Sequence, residues 1–320
     1  VKAQSVHASG NTGLGVTIGI IDSGVSGAHP DLTVVGEYDF VNDTPTSDDV
    51  YGHGTHVAGT ACGTINGWGV VGTAPRCDLY DLRVLNDAGS GYTSDIIAAV
   101  DWARNHDLDV INLSLGSSRD PGSIAQSAYD AAYNAGVLIV AAAGNSGHSN
   151  GRGTNTIYPA NYASVIAVAA TDSNDERAYF SSTGDNVELA APGYGVHSAW
   201  NDSTSKYDPQ PVCDDGTRGC YKDASGTSMA SPQVAGIAAL VIAAGVADTS
   251  GDGHVNDEVR TILQDTVTDL GPNGRDTLYG YGLVDASAAV AAVVPPTPQP
   301  PIADAGGSQT VSDGDGNGTE

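Results

Sequence analysis

No apolar run in this chain of 320 residues is long enough to cross a bilayer, which takes about 18–20 residues. The longest, 237–247, is alanine-rich and broken by Gly245. Lysine is almost missing, with three among the 12 basic residues, and glutamate supplies only five of the 38 acids. Aromatic residues make up 6% and there is one methionine, so a core has to come from Ala, Val, Ile and Leu. The opening VKAQSVHASG has no signal-peptide pattern, so the numbering reads as that of a processed or trimmed chain.

What is abundant is aspartate, and the formal net charge is −26. A polyanion does not seek phosphate backbones, so nucleic acid and anionic membranes are excluded as expected partners. The same charge points to adaptation to high salt. At 1 M salt the Debye length falls to about 3 Å, and the self-repulsion that opposes compaction is largely screened. The length suits one large α/β domain or two smaller ones.

Four cysteines allow three pairings: Cys62, Cys77, Cys213 and Cys220. Cys213 and Cys220 bracket the short polar loop CDDGTRGC, and Cys62 and Cys77 flank a glycine-rich one. Two local bridges, Cys62–Cys77 and Cys213–Cys220, are the expected pattern, with an oxidising, extracellular setting. The alternative is four reduced thiols.

Short apolar runs alternate with helical patterns. GVTIGIID (15–22), DLYDLRVL (78–85), DVINLSLG (109–116), GVLIVAAAGN (136–145) and SVIAVAAT (164–171) read as buried strands. Helices are expected from Thr55 to Cys62, over 94–107, 121–136, 231–245 and 257–267. Strands apolar on both faces and separated by helices mean a doubly wound, mostly parallel sheet covered on both sides. Function should then lie at the carboxyl ends of the strands. From Val293 the texture changes: 294–301 is a Pro-rich linker, and 302–320 is either a disordered tail or the truncated start of a second domain.

Asp22 closes the first strand in GIIDSG, His53 sits in YGHGTHVAG, Asn145 closes a later strand in AAAGNSG, and Ser228 lies in SGTSMASP at a helix start. A hydrolytic serine needs a base, a group that holds the base in one tautomer, and a donor for the oxyanion. All four residue types are present beside glycines. His56, one helical turn past His53, reads as a packed neighbour. His7, His29, His106, His148, His197 and His254 read as mostly surface. Metal ligation by His53 and His56 would leave Asp22 and Ser228 unexplained.

The strings DSG, HGTHVAGT, AAGN and GTSMASP followed by VAG, in that order, resemble the motifs of the subtilisin-like serine peptidases, the subtilases. The resemblance covers Val1 to Val293 and implies the subtilisin-like α/β fold and one catalytic domain over 1–293. It implies Ser228 as nucleophile, His53 as base and then acid, Asp22 as its orienting partner, and Asn145 with the Ser228 N–H as oxyanion hole. It implies substrate strands at Gly89, Ser90, Gly91 and at Ser114, Leu115, Gly116. The pocket for the side chain before the scissile bond would be lined by Ser114–Gly116 and by Ala142, Ala143 and Gly144. Ile157 would sit at its base and make it shallow. The 302–320 tail resembles the opening of a PKD-like module.

The same resemblance implies structural calcium, held by Asp31, Asn66 and the carbonyls of Thr64, Trp68 and Val70, and no organic cofactor. A second calcium candidate is the EF-hand-like loop with Asp248, Ser250 and Asp252 before Gly253, although Val259 stands at the twelfth position. Expected partners are polypeptide substrates and a removed propeptide, with a secreted monomer as the working form. Gln233 departs from the family's histidine, with little expected effect on chemistry. The segment 198–224 is longer than the family's usual link, and is either a surface decoration or a limit on access. Two rival functions keep the same fold: a silent peptide-binding protein and a transpeptidase.

Overall fold

A computed structural model describes residues 1–201, 212–213 and 219–293. The expected linker and tail, 294–320, lie outside the described residues, as does most of the 198–224 segment. The framework is a seven-stranded sheet of β1 (Thr17–Asp22), β2 (Val34–Asp39), β3 (Asp78–Arg83), β4 (Val110–Leu113), β5 (Leu138–Ala142), β6 (Ile166–Thr171) and β7 (Val187–Pro192). Its order is β2-β3-β1-β4-β5-β6-β7 and every pairing is parallel. This is the α/β arrangement that the apolar runs predict.

Alternate residues of each strand supply two cores. Ile18, Ile20, Val110, Leu138, Val140 and Ile166 face one side. There they meet helix α2 (His53–Cys62) and helix α5 (Thr227–Ala243), with α1 (Ala3–Ala8), α6 (Asn256–Asp265) and α7 (Ala286–Ala291) packed further out. Ile21, Leu82, Ile111, Leu113, Ile139 and Ala167 face the other side, under α3 (Thr93–Asn105) and α4 (Ser123–Asn134). The sheet winds one way from β1 through β3 to β2 and the other way from β4 onward. The switch point therefore lies between the carboxyl ends of β1 and β4, where a crevice opens.

Two strands escape the reading by apolar runs. β2 is an edge strand with half-exposed residues. β7 carries Glu188, which is buried at 5% exposure. Arg260 donates to both its oxygens at 2.7 and 2.5 Å and Gln264 to one at 2.8 Å, so an ion pair makes the charge tolerable inside. A second sheet, β8 (Val196–Trp200), β10 (Cys220–Ala224) and β9 (Val212–Cys213), is antiparallel and comes from the long segment before the Ser228 motif. Both local disulfides are present, Cys62–Cys77 and Cys213–Cys220.

Candidate active site

Asp22 ends β1 and Ser114 follows β4, so the switch point brings both to one crevice. Asp22 is fully buried. His53 Nδ1 lies 2.8 Å from Asp22 Oδ1. A carboxylate only accepts, so the proton sits on Nδ1 and Nε2 is left as the basic nitrogen. Burial opposes a charged His53, but the Asp22 charge and hydrogen bond outweigh it and raise the His53 pKa. The Asp22 oxygen is itself oriented by Ser23 N–H at 2.7 Å.

α5 begins at Thr227, four residues before the expected start, and this places Ser228 in the first turn with the helix's positive end toward it. Ser228 Oγ donates to Ser114 O at 3.1 Å rather than to His53. The bond from a nucleophile to its base commonly forms only in the complex with substrate. His53, Asn145 and Ser228 line one cavity of about 310 Å³ with Tyr51, Trp200, Lys222, Ser225 and Met229.

Asn145 is exposed, just past β5. Its Oδ1 accepts from Thr227 N at 2.9 Å and Thr227 Oγ1 at 3.1 Å, which turns Nδ2 the other way. A Cβ on Gly226 would stand 3.4 Å from Asn145 Nδ2 and 3.5 Å from Ser228 N. Two donors thus flank the space that Gly226 leaves open, the arrangement an oxyanion needs.

A second groove, about 430 Å³, is lined by His53, Gly89, Ser90, Gly91, Ser114, Leu115 and Gly116, with Ile96, Ala125 and Tyr129 from α3 and α4. The two expected substrate-binding segments therefore face each other across one channel. Ser90 is partly spent: its N–H donates to Asn86 Oδ1 and its carbonyl accepts from Asn86 N. Ile157 packs between Gly116 and Gly144, where a Cβ on either glycine would meet its side chain at 2.6 and 3.0 Å. Ala142 and Ala143 are both buried, and the Ala143 side chain packs with Ala169, Val187 and Ala190, so these two residues could meet a substrate only through their backbone.

His56 is fully buried, with Nε2 donating to Val196 O at 3.0 Å and Lys222 O at 3.1 Å, and burial lowers its pKa to about 4. It is a neutral packing residue. His29 overturns the surface reading: it is 5% exposed, with Nε2 3.0 Å from Cys220 O. Gln233 is buried on α5 and its amide donates to Pro192 O and Met229 O.

Among the expected metal ligands, Asp31 is fully buried and its Oδ1 lies 2.7 Å from the Asn66 amide. Its Oδ2 accepts from Val70 N and Tyr221 OH, both at 2.9 Å, and Thr64 N donates to Asp31 O. A buried carboxylate beside the Asn66 amide is the kind of oxygen-bearing pair that a hard cation takes, while the contacts to Asp31 from Thr64 and Val70 are made by their N–H groups and not by their carbonyls. The 248–259 loop does not fit an EF-hand. Asp248 accepts from Ser250 Oγ, Gly251 N and Gly253 N, and Asp252 from His254 N. Val259, at the twelfth position, is fully buried in the core, and Glu258 folds back onto Thr249 and Ser250.

What sequence reasoning missed is the set of groups behind His53: Ser23, Asp49 and Thr55. Their only signal was the density of Asp and Ser around DSG and DDVYGHGTH.

The subtilase family model matches residues 13–282. The chain is similar to subtilisin DY of Bacillus licheniformis, 44% identical over 290 residues, covering 90% of this chain and 96% of that one. It is similar to subtilisin Savinase of Lederbergia lenta, 42% identical over 289 residues and covering 90% and 96% of the two chains. It is also similar to the thermostable alkaline protease of Halalkalibacterium halodurans, 39% identical over 289 residues, covering 90% of this chain and 71% of that one.

Proposed function

Because the chain belongs to the subtilase family, we propose that Ser228, His53, Asp22 and Asn145 carry out its peptide-bond hydrolysis. The protein is a serine endopeptidase, a hydrolase acting on polypeptides. The observation that carries the assignment is the convergence of His53, Ser228 and Asn145 on one cavity, with Asp22 bonded behind the histidine.

Ser228 Oγ turns from Ser114 O to the scissile carbonyl carbon and gives its proton to His53 Nε2. Asp22 holds the imidazolium. The developing oxyanion takes hydrogen bonds from Asn145 Nδ2 and Ser228 N. His53 then protonates the leaving amine, and the remaining acyl-enzyme is hydrolysed by water in the reverse sense. These roles are those of subtilisin, the reference enzyme for this chemistry. The substrate backbone adds as a strand between Gly89–Gly91 and Ser114–Gly116.

The enzyme is secreted, matures by loss of a propeptide and works as a monomer. Secretion is supported by the two disulfides, and no helix among the described residues is long and apolar enough to cross a membrane. Activity at high salt is supported by the −26 charge. Calcium at Asp31 and Asn66 would supply charge neutralisation and pin the loop after α2. These attributes predict that stability rises from dilute buffer to molar NaCl and falls on chelation.

The test is casein cleavage and fluorophosphonate labelling, with and without Ser228→Ala. Wild type should cleave and label, and the variant should do neither. A wild type that does neither leaves peptide binding alone, and ligated products would mark a transpeptidase.

A further inference from the structure

Asp49 lies four residues before His53, in the loop leading from β2 to α2, and is 3% exposed. Its carboxylate accepts five hydrogen bonds. Oδ1 takes Ser23 Oγ at 3.0 Å, Tyr51 N at 3.1 Å and Gly52 N at 2.7 Å. Oδ2 takes Thr55 N at 2.9 Å and Thr55 Oγ1 at 2.6 Å. The first N–H groups of a helix have no partner within it, and Gly52 at the head of α2 has no side chain to offer them. Asp49 supplies the acceptor for Thr55, and Ser23 Oγ supplies it for Gly54 at 2.9 Å. Ser23 is also the residue whose N–H orients Asp22. One buried carboxylate therefore ties the turn that carries Asp22 to the first turn of the helix that carries His53.

We propose that Asp49 is a positioning residue for the peptidase reaction, fixing the placement of Asp22 against His53 and making that placement depend on its own ionisation. The proposal deepens the assignment of His53 and Ser228 and rests on it.

The ionisable groups around Asp49 are Asp22 at the end of β1, Asp81 on β3, and His53 and His56 on α2. Asp48 and Tyr51 stand beside it on its own loop, and Asn201, the residue after β8, donates its amide to Asp49 O. Burial, helped by the Asp22 charge and opposed by the Thr55 and Gly52 donors, raises the Asp49 pKa to about 6. Above that pH all five donors have an ionised acceptor, and the Asp49 charge helps hold a charged His53. Below it a proton on one oxygen faces N–H and O–H donors, and the first turn of α2 loses its anchor. The acid side of the activity profile then carries two protonations, on His53 and on Asp49.

The test is kcat and KM against pH for wild type and Asp49→Asn on one peptide substrate. The wild-type acid limb of kcat/KM should be steeper than a single protonation. In Asp49→Asn it should fall to a single protonation with its midpoint at lower pH. At the optimum kcat should drop about tenfold with KM within about twofold, the signature of a displaced catalytic group. An acid limb of unchanged shape and midpoint overturns the proposal. Should Asp49→Asn not fold, the Nδ1–H resonance of His53 in the wild type decides: two inflections, one near pH 6, support it, and one inflection overturns it. That titration needs no turnover, so a protein that neither cleaves nor labels sinks the peptidase assignment while the coupling of Asp49 to His53 is still decided.

Discussion

The two faces of the sheet are covered by helices of different kinds. On one face α5 buries 15 of its 17 residues and α2 nine of its ten. On the other face α3 buries three of 13 and α4 four of 12. The same strands feed both sides, so the contrast comes from what lies outside the helices. α2 and α5 are pressed from behind by α6, α7 and the β8–β10 sheet, whereas α3 and α4 meet solvent. Both helices that carry the proposed catalytic side chains, His53 and Ser228, thus run through the interior, where close packing leaves little room for drift. The amphipathic pair lends residues only to the wall of the substrate groove.

The contrast is tested first on stability. A Cβ at Gly236 of α5 would meet Thr73 Cβ at 2.5 Å and Ala74 N at 3.2 Å. Gly236→Val should cost about 3 kcal/mol or more through overpacking. Gln126→Ala, on the exposed side of α4, should stay within about 0.5 kcal/mol. Denaturant titration of both variants decides, and similar losses would break the comparison. On the same buried helix, Thr227 both holds Asn145 Oδ1 and accepts Gly144 N at 3.0 Å. Thr227→Val should lower kcat about tenfold with KM little changed, because a misaimed oxyanion donor matters mainly in the transition state.

Buried carboxyls sharpen the comparison through pH. Asp81 on β3 is fully buried, and burial raises its pKa well above the usual carboxylate range despite the Ser47 and Val25 donors beside it. The folded state therefore keeps a proton that the unfolded chain releases, and wild-type stability is lost as pH rises from about 4. His56 works oppositely. Its folded pKa of about 4 means that stability is lost as pH falls below the ordinary histidine value. Asp81→Asn should raise Tm near neutral pH, with the gain shrinking toward pH 4. A gain that does not change with pH would refute the linkage.

The sheet, the main helices and the four candidate catalytic positions each have a local signal: apolar runs bounded by glycine, and motifs at strand ends. β7 was not legible in this way, because Glu188 breaks its apolar run and only its pairing with Arg260, 72 residues away, makes that residue internal. Ala142 and Ala143 were placed at the groove by the family resemblance, which says nothing of side-chain direction; the Ala143 side chain points into the core. Asp49 was invisible for a related reason. Four of its five donors lie in residues 51–55 but the fifth, Ser23 Oγ, is 26 residues away, and one acid among 38 carries no mark.

The smallest effect concerns the groove that α3 and α4 help to line. Ile157 fills the gap between two residues without side chains, Gly116 and Gly144, and its Cδ1 and Cγ2 are the atoms that a Cβ on either would meet first after the backbone and Ser182. If the substrate lies as proposed, a branched side chain there would leave little depth for the residue before the scissile bond. Wild type should therefore favour small and medium residues at that position, and a peptide library strongly preferring Trp or Tyr would exclude the idea. Ile157→Gly should raise kcat/KM for Phe, Tyr and Trp substrates by about tenfold, the scale on which apolar pockets discriminate. It should leave stability and alanine substrates nearly unchanged, since the groove wall, unlike the interior of α5, has solvent to give way into. A loss of stability as large as that of Gly236→Val would place Ile157 with the core rather than with specificity.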